Sequence, residues 1–526
     1  MLFNSFEFLF GFLPVTLWVF WRLNAVDRGR TLGWLTIASL GFYGWWEPRS
    51  LLFLGGSLLL NHRLSLWLER WEAEADRKWL TIVGVGANLG FLGYFKYIAF
   101  VSENLNAIFG TDWPVPKSWL PIGISFFTFH QIAYLLSRYR RVTGHCGLRE
   151  YSLYVTFFPQ LIAGPIVRPE EMLPQLETDS ESPVGNSRCS EHLVVGLTLF
   201  AFGLFKKTVL ADGLIQFSAP VFKGAEVGLN VGFFEAWCAA IAYSLQLYFD
   251  FSGYSDMAIG LGRMCGIRLP ANFESPYQAT DISDFWRRWH QTLSRFIRDY
   301  LYIPLGGSRV GPVRQAVNLM ITMLVAGLWH GAGWTFVLWG GLHGMYLVIF
   351  QIWRATTRRW GWEPRSLSLW RTGLARGITL MAVVCAWVLF KAETLHGAWF
   401  LLRSMVGLDG LVLPKAWLEG VENSWGWMTQ LQTWGVEFAS QRSFRGWSEL
   451  RHLAALSIIA LFAPNTRQLL ESWEPVLESR RSEQSTSWWN RFVWQPTPLW
   501  AGLMAAATLF AILQFNRTSE FLYFQF

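Results

Sequence analysis

Long apolar stretches recur along the whole chain and are separated by shorter polar or basic connections. Many of them approach or exceed the roughly 20 apolar residues that a helix needs to cross the hydrocarbon layer of a membrane. The pattern predicts an all-α polytopic membrane protein with roughly ten to twelve transmembrane helices. The predicted membrane segments lie near 6–22, 32–46, 49–67, 79–101, 119–137, 192–211, 231–249, 313–328, 332–350, 374–391, 451–463 and 498–515.

Composition agrees with a membrane location. The 526-residue chain is 52% hydrophobic and 15% charged, whereas a soluble protein of this length needs more charge to cover its surface. Its 32 tryptophans fit aromatic belts at two membrane interfaces. Five scattered cysteines without a CxxC pair argue against a disulfide framework and against a zinc site.

Basic residues follow several apolar stretches instead of forming one patch, which argues against a nucleic-acid partner. By the positive-inside rule these loops are cytoplasmic, which places the N-terminus on the outer side, and membrane lipids are the expected surroundings. The N-terminus carries Glu7 and has neither a basic region nor a small-residue cleavage site, so we predict no cleavable signal peptide. The basic clusters are Arg22, Arg28 and Arg30; Arg138, Arg140 and Arg141; Lys206 and Lys207; and Arg354, Arg358 and Arg359.

The chain shows no internal repeat and no low-complexity tract, so we predict one integral membrane domain over residues 1–526. Its most polar stretches, 167–191, 354–376 and 464–497, are typical of connecting loops or surface helices. Residues 404–450 are amphipathic and rich in tryptophan without containing a full span. This region predicts an interfacial segment or an extramembrane cap.

Two apolar segments are interrupted by proline and glycine, "FFPQLIAGPIVRP" at 157–169 and "FDFSGYSDMAIGLG" at 249–262. Backbone that leaves the helix at membrane depth must be buried in protein or line a watery cavity, because lipid cannot satisfy its amides. Each segment alone is explained by a kink or a loop end. Together, and near a histidine-bearing interruption, they favour an internal cavity.

Residues 284–303 predict an interfacial amphipathic helix that ends at Pro304. Winding 285–301 at about 100° per residue gathers the aromatic side chains and His290 on one side and four arginines on the other. The arginines suit lipid phosphates, or the phosphates of a soluble anionic ligand. A lone histidine at the edge of the apolar side is more often a hydrogen-bonded structural residue than a catalyst. The four arginines are Arg287, Arg288, Arg295 and Arg298.

His330 is the most informative ionisable residue. No Asp, Glu, Lys or Arg occurs between Arg314 and Arg354, a run too long for one span and right for two. The small residues of "AGLWHGAG" place the interruption at His330, so this side chain faces a protein interior or water and is a functional candidate. Surroundings of low dielectric favour the neutral imidazole, which is the form that takes up a proton. His343, 13 residues on and about 20 Å away along a continuous helix, is interpreted as structural.

Several segments resemble the membrane-bound O-acyltransferase family, and others resemble its bacterial alginate O-acetyltransferase branch. The resemblance runs in order from near residue 90 to the C-terminus. The family segments are "LYFDFSGYSDMAIGLG" (247–262), "SDFWRRWHQTLSRFIRDYLYIPLGG" (283–307) and "GLWHGAGWTFVLWGGLHG" (327–344). The branch segments are "LGYFKY" (92–97), "LPIGISFFTF" (120–129), "FFPQLIAGPI" (157–166) and "FLYFQF" (521–526).

The resemblance implies a bundle with re-entrant and interfacial helices around a central cavity that closes near a histidine. It implies an enzyme of the bacterial inner membrane that passes an acetyl group from a cytoplasmic thioester, acetyl-CoA, towards a polysaccharide. It implies no bound cofactor or metal, and separate periplasmic acetyltransferases as partners. His330 corresponds to the family's essential histidine and His290 to its second signature position. The chain departs from the family pattern at His130 and across 404–450, and no role is carried over to either.

As a hypothesis, His330 is the general base of acyl transfer, and His290 polarises the thioester carbonyl or orients the acceptor. The four arginines are candidates for the donor's phosphates. A transporter or channel without covalent chemistry is the main alternative, because broken helices and intramembrane histidines are expected there too. A scaffold that docks an extracellular transferase is the third. The candidate cavity-lining residues are Asp250, Ser252, Tyr254, Asp256 and Trp329.

Overall fold

The computed structural model describes residues 1–116, 119–177, 189–229, 231–361, 368–414, 430, 433, 436–439, 446–477 and 493–516. Helices dominate this part of the chain, and the prediction of an all-α polytopic membrane protein is confirmed. The first ten α-helices are α1 (Leu13–Asn24), α2 (Arg28–Gly44), α3 (Pro48–Arg70), α4 (Glu74–Phe109), α5 (Ile124–Tyr139), α6 (Leu148–Thr156), α7 (Phe158–Leu161), α8 (Pro169–Leu176), α9 (Cys189–Phe205) and α10 (Ile215–Glu226).

The second half of the chain continues the helical pattern, and two three-residue strands pair in parallel, β1 (Val412–Pro414) with β2 (Glu437–Ala439). Its helices are α11 (Phe233–Met264), α12 (Ile282–Arg288), α13 (Gln291–Ile297), α14 (Pro312–His330), α15 (Trp334–Arg359), α16 (Leu369–Lys391), α17 (Leu395–Met405), α18 (Trp447–Phe462), α19 (Thr466–Leu469) and α20 (Pro498–Ile512). Glu7–Phe12, Lys206–Ala211 and Arg298–Tyr302 are π-helical, and Asp212–Leu214, Pro276–Gln278 and Glu471–Trp473 are 3₁₀-helical.

Five helical segments of the described residues are long and apolar enough to cross a membrane. This number is smaller than the number of apolar stretches in the sequence. The difference arises because several of these stretches form shorter helices, such as α2 with 17 residues and α5 with 16. The five segments are Pro48–Arg70, Glu74–Phe109, Ser190–Glu226, Trp334–Arg359 and Leu369–Lys391. Most of the predicted cap region 404–450, and the terminal segment 521–526, lie outside the described residues.

The expected interruption at 249–262 is wrong, because this segment lies inside the continuous helix α11. Its glycines serve close packing against α9 and the π-helical turn that follows it. A Cβ atom on Gly253 would lie 2.7 Å from the carbonyl oxygen of Gly203, and one on Gly260 would lie 2.6 Å from that of Gly196. Small residues at such crossings let two helix backbones approach closely inside a membrane protein.

This packing predicts that Gly253→Ala lowers stability by about 1–3 kcal/mol, the usual cost of overpacking a tight contact. The matched control is Gly93→Ala in α4, where an added Cβ meets nothing within 4 Å. Thermal unfolding of the two variants in the same detergent measures the difference. Equal melting temperatures would contradict the packing role of Gly253.

The interruption at 157–169 is real. Helix α6 ends at Thr156, the short α7 follows, and the backbone from 162 to 168 is not helical although nearly all of it is buried. Protein groups satisfy its amides: the Ile166 N–H donates to Thr292 Oγ1 at 3.0 Å, and the Val167 N–H donates to His130 Nε2 at 3.3 Å. His130 therefore supports this buried segment, as expected of irregular backbone at membrane depth.

The charge-free run forms two helices, as its length predicts. Helix α14 ends at His330, and α15 begins at Trp334 and packs back along α14. Gly327 and Gly340 lie at the contact between them, where a Cβ on either would overlap a backbone carbonyl oxygen of the other helix. The turn between the helices therefore holds His330 inside the protein.

The single amphipathic helix expected over 284–303 is wrong. The chain forms α12 and α13, and between them His290 adopts a left-handed conformation with φ 43° and ψ 53°. The reason is a tertiary contact: the Gln291 N–H donates to the backbone carbonyl of Asn272 at 2.9 Å, and the Thr292 hydroxyl donates to the Asn272 side chain at 2.9 Å. A neighbouring loop thus replaces the bonds that a continuous helix would make.

Candidate active site

His330 is the last residue of α14 and lies in a buried aromatic surround. Its side chain is 5% exposed. The ring centroids of Trp329, Trp339 and Phe390 lie 4.9, 5.0 and 5.0 Å from the imidazole. These rings come from α14, α15 and α16, so the imidazole faces the protein interior and not lipid.

Two residues of the long helix α4 hold the end of α14. The ammonium group of Lys96 donates to the carbonyl oxygens of Trp329 and, at 3.4 Å, of His330. The Tyr97 hydroxyl donates to the carbonyl of Leu328 at 2.8 Å. The last carbonyls of a helix lack partners within it, and a cation at this end also meets the negative end of the helix dipole. Sequence reasoning gave Lys96 no role, although a lysine inside an apolar stretch is itself a signal.

The structure brings His290 to the same place as His330. His290 is 1% exposed, and its ring packs edge-on against Phe251 with centroids 4.8 Å apart. The Trp329 ring neighbours both histidines, with centroids 6.1 Å from His290 and 4.9 Å from His330. Residues separated by 40 positions in sequence therefore share one buried aromatic wall.

Asn272 is a neighbour of His290 that sequence reasoning missed. Its side-chain oxygen lies 3.0 Å from His290 Nδ1, and its side-chain nitrogen donates to Ser255 Oγ at 3.1 Å. The amide is buried, and its oxygen also accepts the hydroxyl of Thr292. An asparagine in "LPANFES" carries no sequence signal for this role, because only the fold brings the loop to α13.

His343 lies nearer to His330 than expected. The chain reverses at 331–333, so the distance along a continuous helix does not apply. The Trp339 ring centroid lies 5.0 Å from that of His330 and 4.9 Å from that of His343. The indole N–H of Trp286 donates to His343 Nδ1 at 3.3 Å. The argument that excluded His343 by distance is therefore wrong, and its interpretation as structural stays a prediction.

Two of the candidate residues on α11 face other parts of the protein. Asp250 is buried and forms an ion pair of 2.9 Å with Lys207, which also binds Asp212 at 2.6 Å. The Tyr254 ring stacks on Phe3 with centroids 4.8 Å apart. These contacts join α11 to its neighbours and place both side chains in packing and ion-pair roles.

Ser252 and Asp256 line a small cavity of about 20 Å³ that also borders Asn272. Its volume suits about one water molecule. Asp256 Oδ2 binds Lys206 Nζ at 2.6 Å and the Thr466 hydroxyl at 2.8 Å. This polar pocket lies on the Asn272 side of His290.

The four arginines of 284–303 do not form one polar face. Arg287 is exposed, and the other three form ion pairs within the protein. Burial disfavours the carboxylate of Asp299, but hydrogen bonds and charge from Arg298 and Arg168 outweigh this and lower its pKa below the usual value. The pairs are Arg288–Asp284 at 2.9 Å, Arg295–Glu171 at 2.9 Å and Arg298–Asp299 at 2.7 Å.

A charged cleft of about 670 Å³ opens beside these pairs. The Arg140 guanidinium lies over the ring of Tyr300, 5.6 Å from its centroid. From Tyr300 a series of ring contacts leads through Phe296 (4.7 Å) and Phe129 (4.3 Å) to Trp329 (5.4 Å). The cleft and the two histidines thus border the same aromatic series. The cleft is lined by Arg140, Arg168, Glu170, Glu171, Asp299, Tyr300, Ile303 and Pro304.

Comparison with known proteins shows which family the chain belongs to. A sequence profile of the membrane-bound O-acyltransferase family matches residues 94–364, which include Lys96, His290 and His330. A peptidoglycan O-acetyltransferase from Helicobacter pylori is 40% identical over 440 residues, 78% of this chain and 81% of the relative.

Two further relatives extend the comparison. A protein from Pseudomonas aeruginosa named probable alginate O-acetylase is 40% identical over 412 residues, 77% of this chain and 75% of the relative. A teichoic acid D-alanyltransferase from Streptococcus thermophilus is 28% identical over 295 residues, 53% of this chain and 70% of the relative. The chain is a multi-pass membrane acyltransferase and belongs to the membrane-bound O-acyltransferase family.

Proposed function

We propose that the protein takes an acetyl group from a cytoplasmic thioester donor, acetyl-CoA, and passes it across the membrane for O-acetylation of an exopolysaccharide. The observation that carries this proposal is that His330 and His290, both buried, neighbour the same Trp329 ring in the protein interior. Two relatives are named for O-acetylation of alginate and of peptidoglycan, which supports a sugar polymer as the destination. Alginate or a similar exopolysaccharide is the first candidate.

A base is needed because a hydroxyl is a weak nucleophile at neutral pH. In this proposal His330 removes the hydroxyl proton while the oxygen attacks the thioester carbonyl carbon. The C–O bond forms, the C–S bond breaks, and the imidazole returns its proton to the leaving thiolate. His290 orients the acceptor or stabilises the carbonyl oxygen, where one hydrogen-bond donor is worth about 3–4 kcal/mol.

The charged cleft supports donor entry from the cytoplasmic side. Arg140, which lines it, belongs to the basic cluster of Arg138, Arg140 and Arg141, which the positive-inside rule assigns to the cytoplasm. A guanidinium there suits the phosphates of a coenzyme A thioester. The aromatic series from Tyr300 to Trp329 would guide the acyl arm towards His330. In this orientation the protein lies in the bacterial inner membrane with a periplasmic N-terminus, and a periplasmic acetyltransferase completes transfer to the polymer.

Peptidoglycan is the second candidate acceptor, because the Helicobacter pylori relative shares the same 40% identity over most of both chains. Acetylation assays of membranes that contain either polymer distinguish the two acceptors. Failure with both would restrict the proposal to the half-reaction with the donor.

The test against a transporter is thioester consumption by the purified full-length protein in liposomes with no gradient. Release of free coenzyme A from acetyl-CoA at rates above those of the His330→Ala protein supports the enzyme. Passage of intact acetyl-CoA or polymer across the bilayer without thioester cleavage would overturn it.

Lys96→Met is expected to lower the rate of acetyl transfer about tenfold. The substitution leaves buried carbonyls at the end of α14 without their donor, at a cost of about 1–3 kcal/mol, and so loosens the position of His330. The rate is measured by coenzyme A release, alongside thermal unfolding. The control is Lys78→Met at the exposed start of the same helix. Identical behaviour of the two variants would refute the role of Lys96.

A further inference from the structure

The tautomer of His290 follows from its contact with Asn272. The backbone N–H of Thr292 can only donate, and it lies 3.4 Å from Asn272 Oδ1. This contact orients the amide with its oxygen towards α13 and its nitrogen towards Ser255. The Nδ1 atom of His290, 3.0 Å from the same oxygen, must therefore carry the hydrogen. In the neutral ring the lone pair then lies on Nε2.

The tautomer of His343 is the opposite one. An indole N–H is a donor only, and that of Trp286 lies 3.3 Å from His343 Nδ1. Nδ1 is therefore the acceptor, and in the neutral ring the hydrogen lies on Nε2. Within the part of the chain that the structure describes, this buried Nε2 has no hydrogen-bond partner. A buried N–H group without an acceptor costs free energy unless a bound ligand or water accepts its hydrogen bond.

Each of the two rings shares a tryptophan neighbour with His330. His290 and His330 both contact the Trp329 ring, and His343 and His330 both contact the Trp339 ring. The three imidazoles thus form one buried set with two defined tautomers.

We infer that Asn272 and Trp286 are positioning residues that hold His290 and His343 in opposite tautomers around His330. The inference rests on the proposed acyl transfer and deepens it. With its hydrogen on Nδ1 and bound to Asn272, the neutral His290 has no hydrogen on Nε2 to donate, so it is not suited to polarise the carbonyl. The Nε2–H of His343 is the donor left to bind an oxygen of the thioester.

The direct test is solid-state NMR of the full-length protein in lipid bilayers with ¹³C,¹⁵N-labelled histidine. Signals are assigned by their loss in His290→Gln and His343→Gln. The expected spectrum shows a neutral His290 with hydrogen on Nδ1 and a neutral His343 with hydrogen on Nε2. The reverse tautomer at either ring would overturn the inference. This result does not depend on acetyl transfer, so it remains separate from the proposed function.

Variants of the positioning residues complete the test. Asn272→Ala is expected to mix the tautomers of His290, and Trp286→Phe, which keeps an aromatic ring, those of His343. Asn318→Ala removes another buried amide, one bound to the Gly307 carbonyl, and should change neither ring. Unchanged tautomers in the first two variants would refute the assignment. If Asn272→Ala fails to fold, the wild-type spectrum still tests the tautomer of His290, and Trp286→Phe still tests that of His343.

Kinetics separate positioning from simple stability. Asn272→Ala is expected to lower kcat about tenfold to 10²-fold, by analogy with loss of the hydrogen-bond partner that orients a metal-ligating histidine. Asn272→Asp keeps the acceptor but adds a negative charge, which favours the imidazolium form. The acid limb of its pH–rate profile should therefore move to higher pH, with activity recovering as pH rises. A purely structural role for Asn272 predicts no such movement.

Discussion

Replacing His330 with alanine is expected to lower the rate of acetyl transfer about 10²- to 10⁴-fold, the range for loss of a positioned general base. The reason is that no acyl transfer to a hydroxyl proceeds at a useful rate near neutral pH without proton removal. Coenzyme A release by the purified protein and acetylation of the polymer in cells both measure the effect.

The interpretation of His330→Ala needs a folding control, because the residue is buried among aromatic rings. His330→Gln keeps a polar side chain of closer size and should fold while remaining inactive. His452→Ala changes an exposed histidine and should keep wild-type activity. Normal acetylation by a well-folded His330→Ala protein would remove the catalytic assignment.

His290→Ala is expected to give the second largest loss, about 10²- to 10³-fold in kcat, comparable to the loss of one transition-state hydrogen bond. His290 shares the Trp329 wall with His330, so the two effects should not add. The double variant is expected to be scarcely worse than His330→Ala alone, as for residues that act as a unit. If the fold-loss of kcat in the double variant equals the product of the two single losses, the residues act independently, which would contradict the shared site.

The helix break at His330 is predictable from sequence because it follows from local composition alone. A charge-free run too long for one span, with small residues in its middle, leaves the chain few alternatives. The break at His290 is different. It depends on the carbonyl and amide of Asn272, which belong to a loop that local periodicity does not relate to α13.

Glycine signals are ambiguous for a similar reason. The segment 249–262 has the composition of an interrupted helix, yet it is continuous because Gly203 and Gly196 face it from the preceding helical segment. Only the neighbour decides whether a glycine breaks a helix or lets another approach. The distance between His330 and His343 also escaped prediction, because separation along the chain does not measure separation across a helical hairpin.

The side chain of Thr292 ties the buried irregular segment 162–168 to the turn that carries His290. Its single hydroxyl accepts a hydrogen bond from the Ile166 N–H and donates one to Asn272, so one side chain holds both the irregular segment and the turn. Neither can open locally without releasing the other. The hydrogen-exchange rate of the Ile166 amide would consequently report on order around His290, a probe that needs neither substrate nor turnover.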